Sequence, residues 1–402
     1  MRLKTMMLCA CCTVLAGITY GQVPTDIPVK VADQLVRNTA ARAEVSARLG
    51  PQLNSSYARL LQLQQQYPKT FFRGGPSKSL VNEFWYDALE DFSTRIPPEQ
   101  MYPGVSSLPR EHLAEYFLTQ QNLELEKWIP ILQKQQETLT KEVPFLEQNR
   151  RLVTHPAQWD LRWLADQVTP EISYLLVGER HGFTEISNAV TQLVLTLRLR
   201  YPQRQIFLFT EFLPEGKTWK ELKAFEGTRL HDPTWQAADI SQIPVVGLEP
   251  RFVWDNIELR LSYQNKQDQA CEQLLWGSVE GVRIRNEHWL NTLQQYRQQY
   301  PQALFVVYAG GAHLSYLEPY SLGITLPKEQ TLVTSLRPQR YYMGHENQPL
   351  VTEFDELTEG RFRDRVIHFT SKEAARIAGF DISIQILPLS PGGSPGSVVV
   401  GD

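Results

Sequence analysis

The sequence predicts an α/β fold, with a mostly parallel sheet and helices on both faces, preceded by an all-helical N-terminal region. Two observations predict it. From about residue 169 onward, short apolar runs alternate with longer segments of helical periodicity, the pattern of parallel strands joined by helices. These runs are almost continuously apolar, as expected for strands buried on both faces. Before that point, the apolar residues recur at helical spacing.

Residues 1–21 are typical of a secretory signal peptide. Arg2 and Lys4 form a basic start, residues 6–18 are an apolar run, and residues 19–21 (Thr-Tyr-Gly) resemble a small-x-small cleavage site. The apolar run is too short to span a bilayer comfortably, which makes an uncleaved anchor the less favoured interpretation. We therefore expect an exported protein, periplasmic or extracellular.

The cysteines indicate a mature protein without disulfides. Cys9, Cys11 and Cys12 fall within the predicted signal, so cleavage leaves Cys271 alone. A single cysteine forms neither an intramolecular disulfide nor a thiolate zinc cluster. Residues 8–11 weakly resemble a lipoprotein box, but almost no apolar run precedes Cys9. Attachment to a membrane through a lipid is therefore the less favoured alternative.

The composition is that of a globular protein, and a small-molecule or peptide substrate is the expected partner. Of its 402 residues, 42% are hydrophobic and 21% are charged, and the formal net charge is −4. This length is enough for about two domains. A weakly acidic chain has no electrostatic attraction for nucleic acid or for an anionic membrane, so neither is an expected partner. The sequence leaves the oligomeric state open.

Residues 22–155 are predicted to form a helical accessory region. Residues 113–132 have the clearest pattern, with apolar side chains at the intervals of an amphipathic helix. The region has no cluster of acidic and basic residues of the kind that performs catalysis. Two interpretations stay open, a helical layer packed against the next domain, which we favour, and a domain that binds a partner or covers a site.

Residues 156–389 are predicted to form the α/β domain, and the Gly-, Ser- and Pro-rich residues 390–402 a disordered tail. The strongest predicted strands are residues 172–177, 206–210, 244–248 and 303–309. Helical periodicity occupies residues 185–200 and much of residues 268–300. Weaker strand signals follow at residues 330–336, 365–370 and 383–389.

Polar residues follow each of the four strongest predicted strands. The first strand is followed by Glu179 and His181, and the next three by Glu211, Glu249 and His313. In open parallel sheets, ligands bind in the crevice beyond the carboxyl ends of the strands. We therefore expect these three carboxylates and two imidazoles to share one crevice.

These residue types suit metal-assisted hydrolysis. Imidazole and carboxylate groups bind divalent transition metals, so His181 and His313 are candidate metal ligands. Glu179, Glu211 and Glu249 are candidate catalytic residues that position or deprotonate water. The alternative for each residue is structural, a loop or capping histidine and a carboxylate paired with a neighbouring cation.

Further candidates lie on predicted helices. Arg285 precedes the last strong strand and is a candidate for stabilising a developing oxyanion. Asn286 and Glu185 are candidate cofactor-binding residues, although an acid in the first turn of a helix is also favoured by the helix dipole. His231 and His288 are predicted to be isolated surface residues. Tyr308 and Trp289 are predicted to be core residues rather than cofactor contacts, and no serine-hydrolase or phosphate-loop motif is present.

The order of these motifs resembles the superfamily that joins erythromycin esterases, ChaN haem-uptake lipoproteins and Tiki/TraB proteases. Residues 175–182 (Leu-Leu-Val-Gly-Glu-Arg-His-Gly), followed by Glu185, look like its opening motif. Glu211 fits its next acidic position, residues 285–286 (Arg-Asn) look like its Arg-Asn helix, and residues 310–313 (Gly-Gly-Ala-His) look like its closing motif. The resemblance covers about residues 170–320 and indicates a ChaN-like domain.

The resemblance implies an α/β fold with a pocket built from these His, Glu and Arg residues, but not one activity. Its Tiki-like members resemble metal-dependent peptidases, its esterase-like members open macrolactones, and its ChaN-like members bind haem. Our first hypothesis is an exported hydrolase of peptide or ester bonds that depends on a divalent transition metal. The alternatives are a non-catalytic haem- or iron-binding protein and a scaffold that has lost its chemistry.

Overall fold

The structure, a computed structural model, describes residues 110–153, 161–181, 183–222, 230–251, 253–254, 279–338, 340–342, 347–349, 353–362 and 364–386. All of them belong to one compact unit, Pro51–Asp402. The predicted signal peptide, residues 22–109 of the predicted helical region and the predicted tail lie outside the described residues. Among the helices described, none combines the length and apolarity needed to cross a bilayer.

Helices and strands alternate through the second half of the chain. The helices are α1 (Arg110–Lys141), α2 (Val143–Gln148), α3 (Arg162–Asp166), α4 (Thr184–Arg200), α5 (Asp232–Ile240), α6 (Val279–Gln299), α7 (Leu322–Thr325), α8 (Glu353–Leu357) and α9 (Lys372–Ala378). The strands are β1 (Arg150–Leu152), β2 (Tyr174–Glu179), β3 (Ile206–Pro214), β4 (Val245–Glu249), β5 (Leu304–Gly310), β6 (Thr331–Pro338), β7 (Arg340–Tyr342), β8 (Asn347–Pro349), β9 (Val366–Phe369) and β10 (Ile382–Ile386).

Eight of the described strands form one sheet, in the order β1-β9-β10-β6-β2-β5-β3-β4. From β10 to β4 all neighbours are parallel, while β9 runs antiparallel to both β10 and β1. The predicted α/β fold with a mostly parallel sheet is therefore confirmed. The short strands β7 and β8 form a separate antiparallel pair.

Alternating side chains of the central strands fill two cores, one on each face of the sheet. On β2, Leu175 and Val177 pack with α3, α4 and α5, whereas Tyr174 and Leu176 pack with α1, α2, α6 and α9. Each residue of β2 and β5 is buried, which is why these strands read as continuous apolar runs rather than alternating ones. Replacing a core residue such as Leu193 by Ala would cost about 2–5 kcal/mol of stability.

Strand β3 extends beyond its predicted end. The prediction that it stops before Glu211 is wrong, because pairing with β4 resumes after a register shift, from Thr210 opposite Gly247 to Pro214 opposite Glu249. Gly247 allows this close approach, since a Cβ there would lie 2.3 Å from the carbonyl oxygen of Pro214. The irregular segment contains Glu211, so its carboxylate leaves the strand at a bulge-like distortion rather than at a simple strand end.

The described part of the N-terminal region is helical up to residue 148 and then joins the sheet. Helix α1 packs against α6, α8 and α9, and it buries Ile129 and Leu139. Strand β1 pairs with β9, with Arg150 opposite Phe369, although residues 150–152 lie in the region predicted to be helical. The sheet thus includes a strand that precedes the predicted boundary of the α/β domain at residue 156.

Candidate active site

The carboxyl ends of β2, β5, β3 and β4 lie side by side and carry the candidate residues. Because these strands are parallel neighbours, their last residues meet at one edge of the sheet. Helix α6 packs beside β4 and adds side chains from the same direction. The hydrogen bonds and ion pairs described below connect Glu179, His181, Glu211, Glu249, Arg285, Asn286 and His313 into a single cluster.

Glu211 is the centre of this cluster. Its Oε1 accepts a hydrogen bond from Nη2 of Arg285, and its Oε2 accepts one from the backbone N–H of Gly310 at 2.7 Å. The Nε2 atoms of the two imidazoles approach the same carboxylate. That of His181 lies 3.9 Å from Oε2, and that of His313 lies 3.6 Å from Oε1. Glu211 therefore stands between two imidazoles and a guanidinium.

Arg285 is buried between two carboxylates. Its Nε donates to Oε1 of Glu249 at 2.9 Å, and its Nη2 donates to Oε2 of Glu249 as well as to Glu211. Its guanidinium carbon lies 5.4 Å from the centre of the Trp289 ring. A planar guanidinium offers the fork of donors that such bidentate pairing needs. Arg285 is thus directed at protein carboxylates, and it holds Glu211 and Glu249 in fixed positions.

The Glu179 carboxylate connects His181 to Tyr308. Oε1 of Glu179 lies 3.0 Å from Nδ1 of His181, and Oε2 accepts a short hydrogen bond from the Tyr308 hydroxyl. With Nδ1–H donated to Glu179, the remaining nitrogen Nε2 of a neutral His181 is the basic one. Glu179 and Tyr308 are buried, so the Glu179 carboxylate, held by Tyr308, fixes the orientation of the His181 imidazole.

His313 is held in a different way. It follows β5 in the short 3-10 turn Gly311–His313 and is buried against the ring of Trp289, at 4.4 Å between ring centres. Its Nδ1 lies 2.7 Å from Oδ1 of Asn286, whose Nδ2 donates to the backbone carbonyl of Tyr320 at 3.0 Å. The amide of Asn286 therefore takes the place that a carboxylate takes beside His181.

The surrounding charges shift the pKa values of the carboxylates in opposite directions. Burial alone would raise the pKa of Glu211, but Arg285, His313, His181 and the Gly310 N–H together hold it well below its usual range. Burial raises the pKa of Glu249 to about 7, despite the opposing effect of Arg285. Burial also raises the pKa of Glu179. Of the three carboxylates, Glu211 is therefore the one whose ionised form the surroundings favour most strongly.

His181 is the solvent-exposed titratable residue of the cluster. Burial of part of the ring lowers the pKa of His181, but the carboxylates of Glu211 and Glu179 outweigh that effect and raise it above its usual value. The His181 side chain is 56% exposed, whereas those of Glu179, Glu211, Glu249, Arg285 and His313 are at most 10% exposed. Within the described part of the cluster, His181 is therefore the member open to solvent.

His231 belongs to the surroundings of this site, and its prediction as an isolated surface residue is wrong. It is buried, stacks on Phe212 at 3.8 Å between ring centres, and lies edge-on to Tyr308 at 5.5 Å. Phe212 in turn lies edge-on to His181 at 5.4 Å. Burial lowers the pKa of His231 to about 3, and the nearby His181 acts in the same direction, so His231 is a neutral part of an aromatic wall.

Glu185 and His288 lie apart from these contacts. Glu185 is buried in the first turn of α4, and its Oε1 has no hydrogen-bond partner among the described residues. Its candidate role in binding a cofactor stays a prediction. His288 is half-buried, with its Nε2 lying 3.1 Å from Oε2 of Glu215.

The described residues do not fit a preformed metal site. No group of three or more His, Cys, Asp or Glu side chains in the described part of the chain is arranged to hold a metal ion. The cause is visible in the bonding, because each carboxylate oxygen of Glu179, Glu211 and Glu249 already accepts a hydrogen bond from a protein donor. The predicted metal dependence therefore stays a prediction, and a metal assay is its test.

Sequence patterns miss the site contacts of two residues, Tyr308 and His231. Tyr308 lies inside an apolar strand, and the only signal is that a buried tyrosine hydroxyl needs a partner. His231 gives no signal, because its ring packs on a residue far away in the sequence. Gly310 belongs to the closing motif found in the sequence, and the structure supplies a reason for the glycine, since a Cβ there would lie 2.8 Å from Nε2 of His181.

Comparisons with known proteins assign no family to this chain. No protein-family description and no curated protein matches it. A solved structure from Bacillus cereus is 11% identical, covering 62% of this chain and 97% of its own, with a TM-score of 0.39. A succinoglycan biosynthesis protein is 12% identical, covering 63% and 98%, with a TM-score of 0.36.

A third solved structure, the type III effector HopBA1, is 11% identical, covering 56% of this chain and 92% of its own, with a TM-score of 0.31. The names of these proteins do not confirm the superfamily that the motifs resemble. At such identities and TM-scores, the similarities transfer neither an activity nor a ligand to this chain. The function has to be inferred from the geometry of the cluster.

Proposed function

We propose that this protein is an exported hydrolase of ester or peptide bonds, with His181 as its general base and acid. One observation carries the proposal. His181 is 56% exposed, while its Nδ1 is held at 3.0 Å by the carboxylate of Glu179, which is 2% exposed. A solvent-accessible imidazole oriented by a buried carboxylate is an arrangement suited to general acid–base catalysis of acyl transfer.

Hydrolysis needs only water as a co-reactant. Nε2 of neutral His181 takes a proton from a water molecule while the water oxygen forms a bond to the carbonyl carbon of the substrate. The tetrahedral intermediate then collapses, the bond to the alcohol or amine breaks, and the imidazolium returns its proton to that leaving group. Glu179 stabilises the imidazolium between these two steps, because its Oε1 accepts the Nδ1–H throughout.

The other charged groups support the basicity and position of His181. Ionised Glu211 faces the Nε2 side of the ring at 3.9 Å and stabilises the imidazolium electrostatically. Arg285 and the Gly310 N–H hold Glu211 in that position. Because its Nε and Nη2 donate to Glu249 and Glu211, we infer that Arg285 positions these two carboxylates.

The decisive experiment compares the mature chain from Gln22 with its His181→Gln variant on nitrophenyl esters of increasing acyl length and on a fluorogenic peptide library. We expect turnover of one of these classes, and a loss of about 100- to 10,000-fold in kcat/KM in the variant. His288→Gln is the matched control, because His288 pairs with Glu215 outside the cluster. Equal rates for wild type and His181→Gln would overturn the proposal.

A metal assay of the same preparations tests the predicted metal dependence. The atoms nearest to forming a site are Nε2 of His181, Nε2 of His313 and the Glu211 carboxylate between them. About one transition metal per wild-type chain, lost in His313→Ala, would support that dependence. Full hydrolytic activity in a metal-free preparation would contradict it and leave the role of His181 intact.

The haem- or iron-binding alternative makes a different prediction for the same residue. An exposed imidazole such as His181 is a common axial ligand of haem iron. A Soret band that appears on addition of haem and is lost in His181→Ala, together with no hydrolysis of either substrate class, would favour binding over catalysis. Export is tested separately, by recovery of a chain that begins at Gln22 from the periplasm or the medium.

A further inference from the structure

Tyr320 links helix α1 to the buried half of the cluster. Its hydroxyl receives a hydrogen bond from Nζ of Lys127 at 2.6 Å and donates one to Oε2 of Glu124, both on α1. Its backbone carbonyl accepts the hydrogen bond from Nδ2 of Asn286 at 3.0 Å. One residue thus binds the helix with its side chain and the site with its backbone.

The backbone of Tyr320 is held in an unfavourable conformation. Its φ is +59°, in the left-handed region that a bulky residue rarely adopts. Such a conformation persists only where the surroundings hold it in place. For Tyr320 these surroundings are on α1, where Trp128 lies edge-on at 5.2 Å and the ammonium group of Lys127 lies 4.9 Å from the ring centre.

The direction of the Tyr320 carbonyl determines which nitrogen of His313 carries a proton. A carbonyl accepts only, so the Asn286 atom that faces it is the amide NH₂. The other amide atom, Oδ1, also accepts only, and it faces Nδ1 of His313 at 2.7 Å. Nδ1 therefore carries a proton, so the neutral form of His313 is the Nδ1-protonated tautomer, and Nε2 is the ring nitrogen directed at the Glu211 carboxylate, at 3.6 Å.

We propose that Tyr320 is a positioning residue through which helix α1 fixes the tautomer and orientation of His313. The region before the α/β domain is then part of the functional unit rather than a covering layer. The effect on turnover rests on the proposed hydrolase function, whereas the effect on the tautomer does not. The two are therefore measured separately.

The test uses the full mature chain, labelled with ¹⁵N-histidine, and the variants Tyr320→Phe and Glu124→Gln. The His313 signals are assigned with His313→Gln. In the wild type we expect a protonated Nδ1, and in both variants a second signal from the Nε2-protonated tautomer. With an active substrate we expect kcat to fall about three- to tenfold and KM to stay unchanged. Lys134→Met, an exposed change on the same helix, is the control.

A double-mutant cycle separates positioning from a general loss of structure. Asn286→Asp keeps an acceptor for Nδ1 of His313 but no longer donates to the Tyr320 carbonyl, so Tyr320→Phe should have no further effect on the tautomer in that background. An unchanged His313 tautomer in Tyr320→Phe, or the same change in Lys134→Met, would overturn the proposal. A changed tautomer in a protein without hydrolytic activity would leave it standing and reject the hydrolase function instead.

Discussion

The two histidines beside Glu211 have the same bonding pattern in opposite environments. In each, Nδ1 is held by a side-chain acceptor and Nε2 faces the Glu211 carboxylate. The acceptor is a carboxylate for His181 and the neutral amide of Asn286 for His313. The His181 side chain is 56% exposed, and that of His313 is 5% exposed.

This difference gives the two histidines different expected roles: His181 exchanges protons, and His313 holds a fixed position beside Glu211. An imidazole that contacts solvent and has a carboxylate partner can take up and release protons during turnover. A buried imidazole whose Nδ1 faces a neutral amide has no such access to solvent, so it contributes a fixed polar group to one side of Glu211. Two residues that look equivalent in the sequence, each following a strand, therefore have different expected roles.

The largest expected effect on stability comes from removing the negative charge of Glu211, which both histidines face. Glu211→Gln places an amide NH₂ against either Arg285 or the Gly310 N–H, both of which are donors. Because the site is buried, we expect the free energy of unfolding in urea to fall by about 3–5 kcal/mol. Glu287→Gln, at an exposed ion pair with Arg283, should change it by less than about 1 kcal/mol. Equal effects of the two variants would contradict this account of Glu211.

The next effect distinguishes the two histidines by stability. His313→Gln removes a buried ring from Trp289 and leaves Asn286 without its partner, so we expect a loss of about 2 kcal/mol. His181→Gln changes a mostly exposed ring, and we expect less than about 0.5 kcal/mol. Urea denaturation of both variants gives the comparison, and a larger loss for His181→Gln would reverse the assigned roles.

A pair of neighbouring glycines tests the position of His181. A Cβ on Gly310 would lie 2.8 Å from Nε2 of His181, whereas a Cβ on Gly311 meets nothing closer than 3.6 Å. Since the exposed ring can move aside, Gly310→Ala should fold normally and lower kcat/KM about tenfold. Gly311→Ala should keep near-normal activity. Similar activity of the two variants would show that displacing His181 does not matter.

The smallest effect concerns the pH profile. The pKa of His181 is raised by Glu211 and Glu179, so the neutral base predominates only above that pKa, and kcat/KM should rise with pH through it. Glu179→Gln removes one of these charges and should move the rise of kcat/KM to lower pH, by at most about one pH unit. Glu221→Gln, in an exposed capping box, should leave it in place. A shift to higher pH would contradict the role of Glu179.

Much of the fold and part of the site follow from sequence patterns. The central strands can be predicted from the sequence because they are continuously apolar. The residues that follow them lie together because parallel strands end at one edge of the sheet. The register shift of β3 at Glu211 cannot be predicted from the sequence, since it depends on the close approach of β3 to Gly247. Strand β1 is missed because a three-residue edge strand with two arginines has no apolar pattern.

The contacts that give each site residue its role are the part that patterns cannot supply. Arg285 is predictable as a cation near the site, but its pairing with two carboxylates depends on the packing of α6 beside β4. Tyr320 has no distinctive sequence context, and its positive φ occurs together with contacts to a distant helix, such as its hydrogen bond with Glu124 across 196 residues. Long-range packing of this kind has no local signature.

The insertion of β5 between β2 and β3 has a consequence for biosynthesis. Strands β2, β3 and β4 leave the ribosome before β5, yet β2 and β3 pair with each other only through β5. Until residue 310 is synthesised, the edges of β2 and β3 that face β5 stay unpaired, and Glu211 lacks its backbone donor. A nascent or prematurely ended chain of that length is therefore expected to be prone to aggregation.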